Sequence, residues 1–122
     1  GTLEKFPNLK ILASHGGGYL PSYAGRIDHA WGARPDCRGK NLKHRPSYYL
    51  KKMNFDTIVF TYEQLKYLVD VFGSDKIIMG TDYPYDMAED DPIGHVLGTP
   101  DLTQEDIKNI TGINAAKLLG IN

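Results

Sequence analysis

With 122 residues, 41% of them hydrophobic, the chain has room for one domain or part of one, and its apolar fraction lies a little under the usual ~45–50%. Fourteen basic and fifteen acidic side chains leave a formal net charge of −1, which gives no electrostatic reason to expect nucleic acid or an anionic membrane as partner. The lone Cys37 excludes an internal disulfide and a cysteine-built zinc site, and it favours an intracellular compartment.

The opening GTLEKFPNLK lacks the apolar core and small-residue cleavage site of a signal peptide. No apolar stretch approaches the ~20 residues needed to span a bilayer. A cytoplasmic chain is expected.

The first element is LKILAS (Leu9–Ser14), read as a buried strand that runs out into His15 and the glycines Gly16, Gly17 and Gly18. In YLPSYAGRIDHAWG, the residues Leu20, Tyr23, Ala24, Ile27 and Trp31 recur at helical spacing and are expected to share one face. Residues 33–46 are the least patterned stretch; they carry Arg34, Arg38, Lys40, Lys43, His44 and Arg45. They read as a solvated surface loop, or as a surface meeting an anionic substrate or a partner subunit. A second strand is expected over MNFDTIVF (Met53–Phe60).

Thr61, Gln64 three residues on and Gly73 frame a helix whose apolar stripe is Leu65, Leu68, Val69 and Phe72. The third strand is KIIMGTD (Lys76–Asp82), followed by an acidic loop with Asp86, Glu89, Asp90 and Asp91, read as solvated surface. Residues 101–121 form the last helical region. Thr103 and Asp106 give a weaker capping box there, Gly112 interrupts the helix, and Asn114 is expected to cap a short terminal one. The order β-α-β-α-β-α is that of a parallel sheet with helices outside.

In parallel α/β architectures, ligands gather at the carboxyl ends of the strands. His15 and Asp82 stand there. Strand alternation puts Leu9, Ile11, Ala13 and His15 on one face, and Ile78, Gly80 and Asp82 on one face of the other strand. Both polar groups then point into one cavity, an arrangement suited to metal coordination or proton transfer. The residues alone leave alternatives open: His15 as a hydrogen-bonded loop residue, and Asp82 as a turn aspartate beside Pro84. Asp56 reads as structural. His29, His44 and His95 have no ligand-like partner at i+3 or i+4.

Three other motifs fail. The HGGG of lipase-type esterases needs a G-x-S-x-G elbow, which is missing. No G-K-[ST] follows the glycines as in a P-loop, and Pro21 takes the third glycine position of a dinucleotide fingerprint.

The segments FPNLKILASHGGGYLP, GRIDHAW, IIMGTDYPY and ITGINAAKLLGI, in that order, resemble the carboxy-terminal part of the amidohydrolase-2 family. That family includes aminocarboxymuconate semialdehyde decarboxylase and related metal-dependent decarboxylases and hydrolases. The resemblance implies that residues 1–122 are a single partial-barrel domain, its three β-α units being the last part of a (β/α)8 TIM-type barrel. It implies a divalent metal, zinc being the one expected, and a small carboxylate-bearing substrate.

His15 then matches a catalytic histidine. Asp82 matches the aspartate metal ligand, with a catalytic part in placing the bound water. Arg26 matches an arginine that engages a substrate carboxylate, in some members across a subunit interface. The family's H-x-H ligand pair does not occur here. The chain alone is therefore expected to hold no tight stoichiometric metal and to lack the family's activity. An open part-barrel exposes two parallel edges and an apolar interior, so a homo-oligomer or a complementing amino-terminal half is expected as partner. The rival reading is a non-catalytic half-barrel module that pairs with itself or with such a half.

Overall fold

The computed structural model describes residues 1–39 and 42–121; Lys40 and Asn41 of the basic stretch lie outside them. Chain order runs α1 (Thr2–Lys5), β1 (Leu12–Ala13), α2 (Leu20–Ala33), α3 (Pro46–Leu50), β2 (Asn54–Asp56), α4 (Tyr62–Phe72), β3 (Ile77–Ile78), α5 (Pro92–Gly98), α6 (Gln104–Lys108) and α7 (Asn114–Leu119). The strands form one parallel sheet in the order β1-β2-β3, with Leu12 opposite Asn54, Ala13 opposite Phe55, Phe55 opposite Ile77 and Asp56 opposite Ile78. Among the described residues no helix is long and apolar enough to cross a membrane.

All three strands are shorter than their apolar runs suggest, because backbone pairing ends where other acceptors capture the amides. Ile58 N–H donates to the Asp56 side chain at 3.1 Å, which curls the chain out of β2. Beyond β3, Met79 N–H donates to the Ile110 carbonyl and Gly80 N–H to the Thr57 hydroxyl. Leu9, expected in the first strand, is exposed.

The core lies between the sheet and the helices: Phe55, Leu65, Leu68, Ile77, Val96 and Ile110 are buried together, with Ala13, Val69 and Phe72 packed on them. Ala13, Phe55 and Ile77 share a register row, so one sheet face supplies this core. On the other face Leu12 is 42% exposed.

Helix α4 follows its sequence signals. The Thr61 hydroxyl accepts from Gln64 N–H at 3.3 Å, and Gly73 closes the helix at φ 91°. Helix α2 starts with Pro21 in its first turn. Its expected stripe holds except at Tyr23, which is exposed and packs edge-on to Tyr19 with ring centroids 5.8 Å apart.

Residues 33–39 and 43–45 of the basic stretch are exposed, as expected of a solvated surface loop, and they also make local contacts. Arg38 donates to the carbonyls of Trp31 and Gly32 at the end of α2, and Arg34 pairs with Asp36. Asp28 accepts from Ser47 N–H at 2.8 Å, fastening α3 to α2.

The Thr103–Asp106 capping box forms, and hydrogen bonds from the Ser74 and Thr103 hydroxyls hold the Asp106 carboxyl below its ordinary range. Gly112 does not break the helical path. A wide π-turn, Asn109–Ile113, carries the chain from α6 into α7. Asn114 is therefore helical rather than a cap. Its buried amide donates to the carbonyls of Ser74 and Ile77, each at 2.7 Å, pinning α7 to β3.

Candidate active site

Where β1 ends, Ser14 is still extended (ψ 160°). His15, Gly16, Gly17 and Gly18 then take φ values of 55°, 58°, 78° and 59°. Glycine enters this left-handed region freely, whereas histidine does so at a cost of about 1–2 kcal/mol. The run is packed as well as turned. A Cβ on Gly16 would lie 2.4 Å from Val59 Cγ1, and one on Gly17 would lie 2.7 Å from the Phe55 ring. Gly16→Ala is thus expected to lower stability by roughly 1–3 kcal/mol, read as a lower urea midpoint. An unchanged midpoint would contradict this packing.

The turn brings the His15 ring to the end of β3. His15 Nε2 stands 3.6 Å from Asp82 Oδ2, with 63% of the His15 side chain and 23% of the Asp82 side chain exposed. That separation is slightly beyond a hydrogen bond and becomes an ion pair only when the imidazole is protonated. Asp82 also has a left-handed backbone (φ 62°), and its carbonyl accepts from Tyr85 N–H at 3.0 Å. Neither residue is inside a strand. The alternation argument therefore does not explain their meeting; two left-handed turns beyond the ends of β1 and β3, the strands that flank β2, do.

The two do not share the expected cavity: of the pair, only His15 lines the cleft beside it. This cleft of about 300 Å³ runs from His15 and Gly18 past Val59 and Phe60 to Tyr67 and Leu68, between α2 and α4. Arg26 lies exposed in α2 and is not among the residues lining that cleft.

Asp56 is almost fully buried, at 5% exposure, directly under the His15 turn. Its Oδ2 accepts from His15 N–H at 2.9 Å and its Oδ1 from Gly16 N–H at 2.8 Å. Sequence reading gave it a structural place without the partner, since the contact depends on the β1–β2 register.

A second group was missed altogether. His95 of α5 is buried, with Nδ1 3.4 Å from Glu89 Oε2, and Asp91 caps α5 by accepting from Gly94 N–H at 2.9 Å. The acidic loop is thus partly structural. Asp91 before Pro92 is a helix-start signal that the sequence reading left unused, and nothing in the sequence signals the Glu89–His95 contact.

Among the described residues no three His, Cys, Asp or Glu side chains converge as a metal site. Asp82 and His15 are two donors, and a catalytic zinc centre takes three from the protein. Among the described residues the donors present are too few to make a catalytic metal centre by themselves.

The amidohydrolase family model matches residues 1–121. The chain is 35% identical over 122 residues to a 2-amino-3-carboxymuconate-6-semialdehyde decarboxylase of Dictyostelium discoideum, covering 100% of this chain and 34% of that protein. Among solved structures, the 5-carboxyvanillate decarboxylase of Sphingomonas paucimobilis superposes with a TM-score of 0.88 at 28% identity, covering 100% of this chain and 37% of the other. A 5-carboxyvanillate decarboxylase of Novosphingobium aromaticivorans, complexed with manganese and 4-hydroxy-3-methoxy-5-nitrobenzoic acid, superposes at 0.84 with 26% identity, covering 99% and 36%. The chain thus spans about a third of the length of these relatives, and its three-stranded parallel sheet is a matching portion of their TIM-barrel fold. With the family model matched from Gly1 to Ile121, the chain belongs to the amidohydrolase family.

Proposed function

We propose that this chain supplies the last third of the barrel of a metal-dependent decarboxylase acting on a small unsaturated or aromatic carboxylate. The observation that carries the proposal is the 3.6 Å approach of His15 Nε2 to Asp82 Oδ2 at the carboxyl ends of β1 and β3. Parallel barrels do their chemistry on that face. Decarboxylation is favoured over hydrolysis because the relatives described above are named for it.

In this reading His15 is the acid. An imidazole both gives and takes a proton near neutral pH. Its ring proton passes to the substrate carbon bearing the carboxylate, where a π electron pair forms the new C–H bond; the bond to the carboxylate then breaks, carbon dioxide leaves, and the released electron pair restores the π system. The exposed ring then regains a proton from solvent. Asp82 contributes one carboxylate ligand towards a divalent metal, and Arg26, which does not line the cleft beside its own His15, holds a substrate carboxylate by paired hydrogen bonds across a subunit interface. The manganese in a related decarboxylase supports a divalent ion of that kind; zinc is the other candidate, and elemental analysis separates the two.

The remaining ligands come from the rest of the barrel, present in the same polypeptide, in a separate amino-terminal half, or in a second copy. A cytoplasmic setting suits such an enzyme. The test is an assay of the complete barrel, this chain joined to the other two-thirds, on 2-amino-3-carboxymuconate semialdehyde and 5-carboxyvanillate. One carbon dioxide released per substrate consumed is the expected result. Consumption without carbon dioxide, or no turnover of any carboxylate by a metal-loaded barrel, overturns the proposal.

A further inference from the structure

We infer that Asp56 is a positioning residue, whose carboxylate fixes the left-handed turn that aims His15 at Asp82; this rests on the catalytic reading of His15 given above. Successive backbone N–H groups in a turn can form a concavity that takes an anion. The four amides of the turn divide cleanly. Gly17 N–H donates to the Ser14 carbonyl at 3.0 Å and Gly18 N–H to the His15 carbonyl at 2.9 Å. The other two, from His15 and Gly16, both donate to Asp56, one to each oxygen.

A carboxylate is suited to this place, since it offers two acceptor oxygens and no donor. An asparagine would turn its NH2 group against one of the two amides. Burial sharpens the point, because an amide left unpaired there costs about 1–3 kcal/mol.

Register explains how Asp56 comes to be there. Leu12 pairs with Asn54 and Ala13 with Phe55, so Asp56 sits beside the next position, where β1 leaves the sheet. It also lies opposite the other strand end: Asp56 pairs with Ile78, the last residue of β3, and Gly80 passes close enough that a Cβ on it would lie 3.3 Å from Asp56 Cβ. One buried carboxylate thus stands between the two strand exits that carry His15 and Asp82. With 63% of the His15 side chain exposed, little besides the backbone turn decides where the ring begins.

The test has two parts. In the unmutated chain, through-hydrogen-bond NMR couplings from the His15 and Gly16 amide nitrogens to the Asp56 carboxylate carbon are expected. Their absence overturns the inference whether or not any variant folds. In the complete, metal-loaded barrel, Asp56→Asn is expected to lower kcat per folded site on the order of 10²-fold with KM within about threefold. A merely structural Asp56 would lower the melting temperature and the yield of folded sites but leave kcat per site unchanged; that result overturns the inference. His15→Ala separates the two claims. If it leaves turnover intact, the catalytic reading fails. If it removes turnover while Asp56→Asn does not, only the positioning role fails.

Discussion

His15→Ala in the complete barrel is expected to lower carboxylate turnover by roughly 10²–10⁴-fold, the range that a positioned acid or base contributes. Folding should be barely affected, because the ring is largely exposed and its removal leaves no core cavity. Loss of the β-carbon burden at a left-handed φ of 55° would come only with glycine, so His15→Gly offers a control that relaxes the turn and still lacks the acid. Both variants are expected to keep their metal, as Asp82 and the other ligands remain. The measurement is kcat beside metal content and urea midpoint. Near-normal kcat in either variant would remove the proton-transfer role.

The largest stability effect is expected at Phe55. This residue is fully buried, packs at a tilt against Phe72 with ring centroids 4.5 Å apart, and fills the space against Gly17. Truncation to alanine removes a large apolar side chain and leaves a cavity, costing about 3–5 kcal/mol. Set against a typical total of ~5–15 kcal/mol for a whole domain, that loss removes a large share of the stability. Because the ring also supports the His15 turn from below, the complete barrel carrying Phe55→Ala should lose turnover along with stability. Equilibrium denaturation checks it. A loss below about 1 kcal/mol would show that Phe55 does not anchor the core as described.

The contrast between these two residues bears on how much was legible in the sequence. Helix α4 was readable because its signals are local: Thr61 reaches Gln64 three residues on, and Gly73 ends the helix with a positive φ. The parallel order was readable from short apolar runs separated by helical periodicity. Strand lengths were not, since the side chains of Asp56 and Thr57 intercept amides that an apolar run alone would assign to the sheet. The short helices α1, α3 and α5, of four, five and seven residues, went unread. Too few turns exist there for a periodicity; Asp28 fastening the start of α3 is a tertiary contact.

Asn114 shows the reverse error. Asparagine favours caps, but here its amide is used by distant carbonyls of Ser74 and Ile77. His15 and Asp82 were marked as a pair because both follow apolar strands of one sheet. Asp56 could not be tied to them without knowing that Ala13 lies opposite Phe55.

The central claim is that Asp82, with His15 beside it, is one part of a metal-dependent site shared with the rest of the barrel. Metal stoichiometry tests it most directly, measured by elemental analysis after dialysis on this chain alone, on the complete barrel, and on the complete barrel carrying Asp82→Asn. The account predicts no stoichiometric metal in the chain alone, one tightly held divalent ion per complete barrel, and loss of that ion in the variant. One tight metal per isolated chain, or full occupancy without the Asp82 carboxylate, would contradict it.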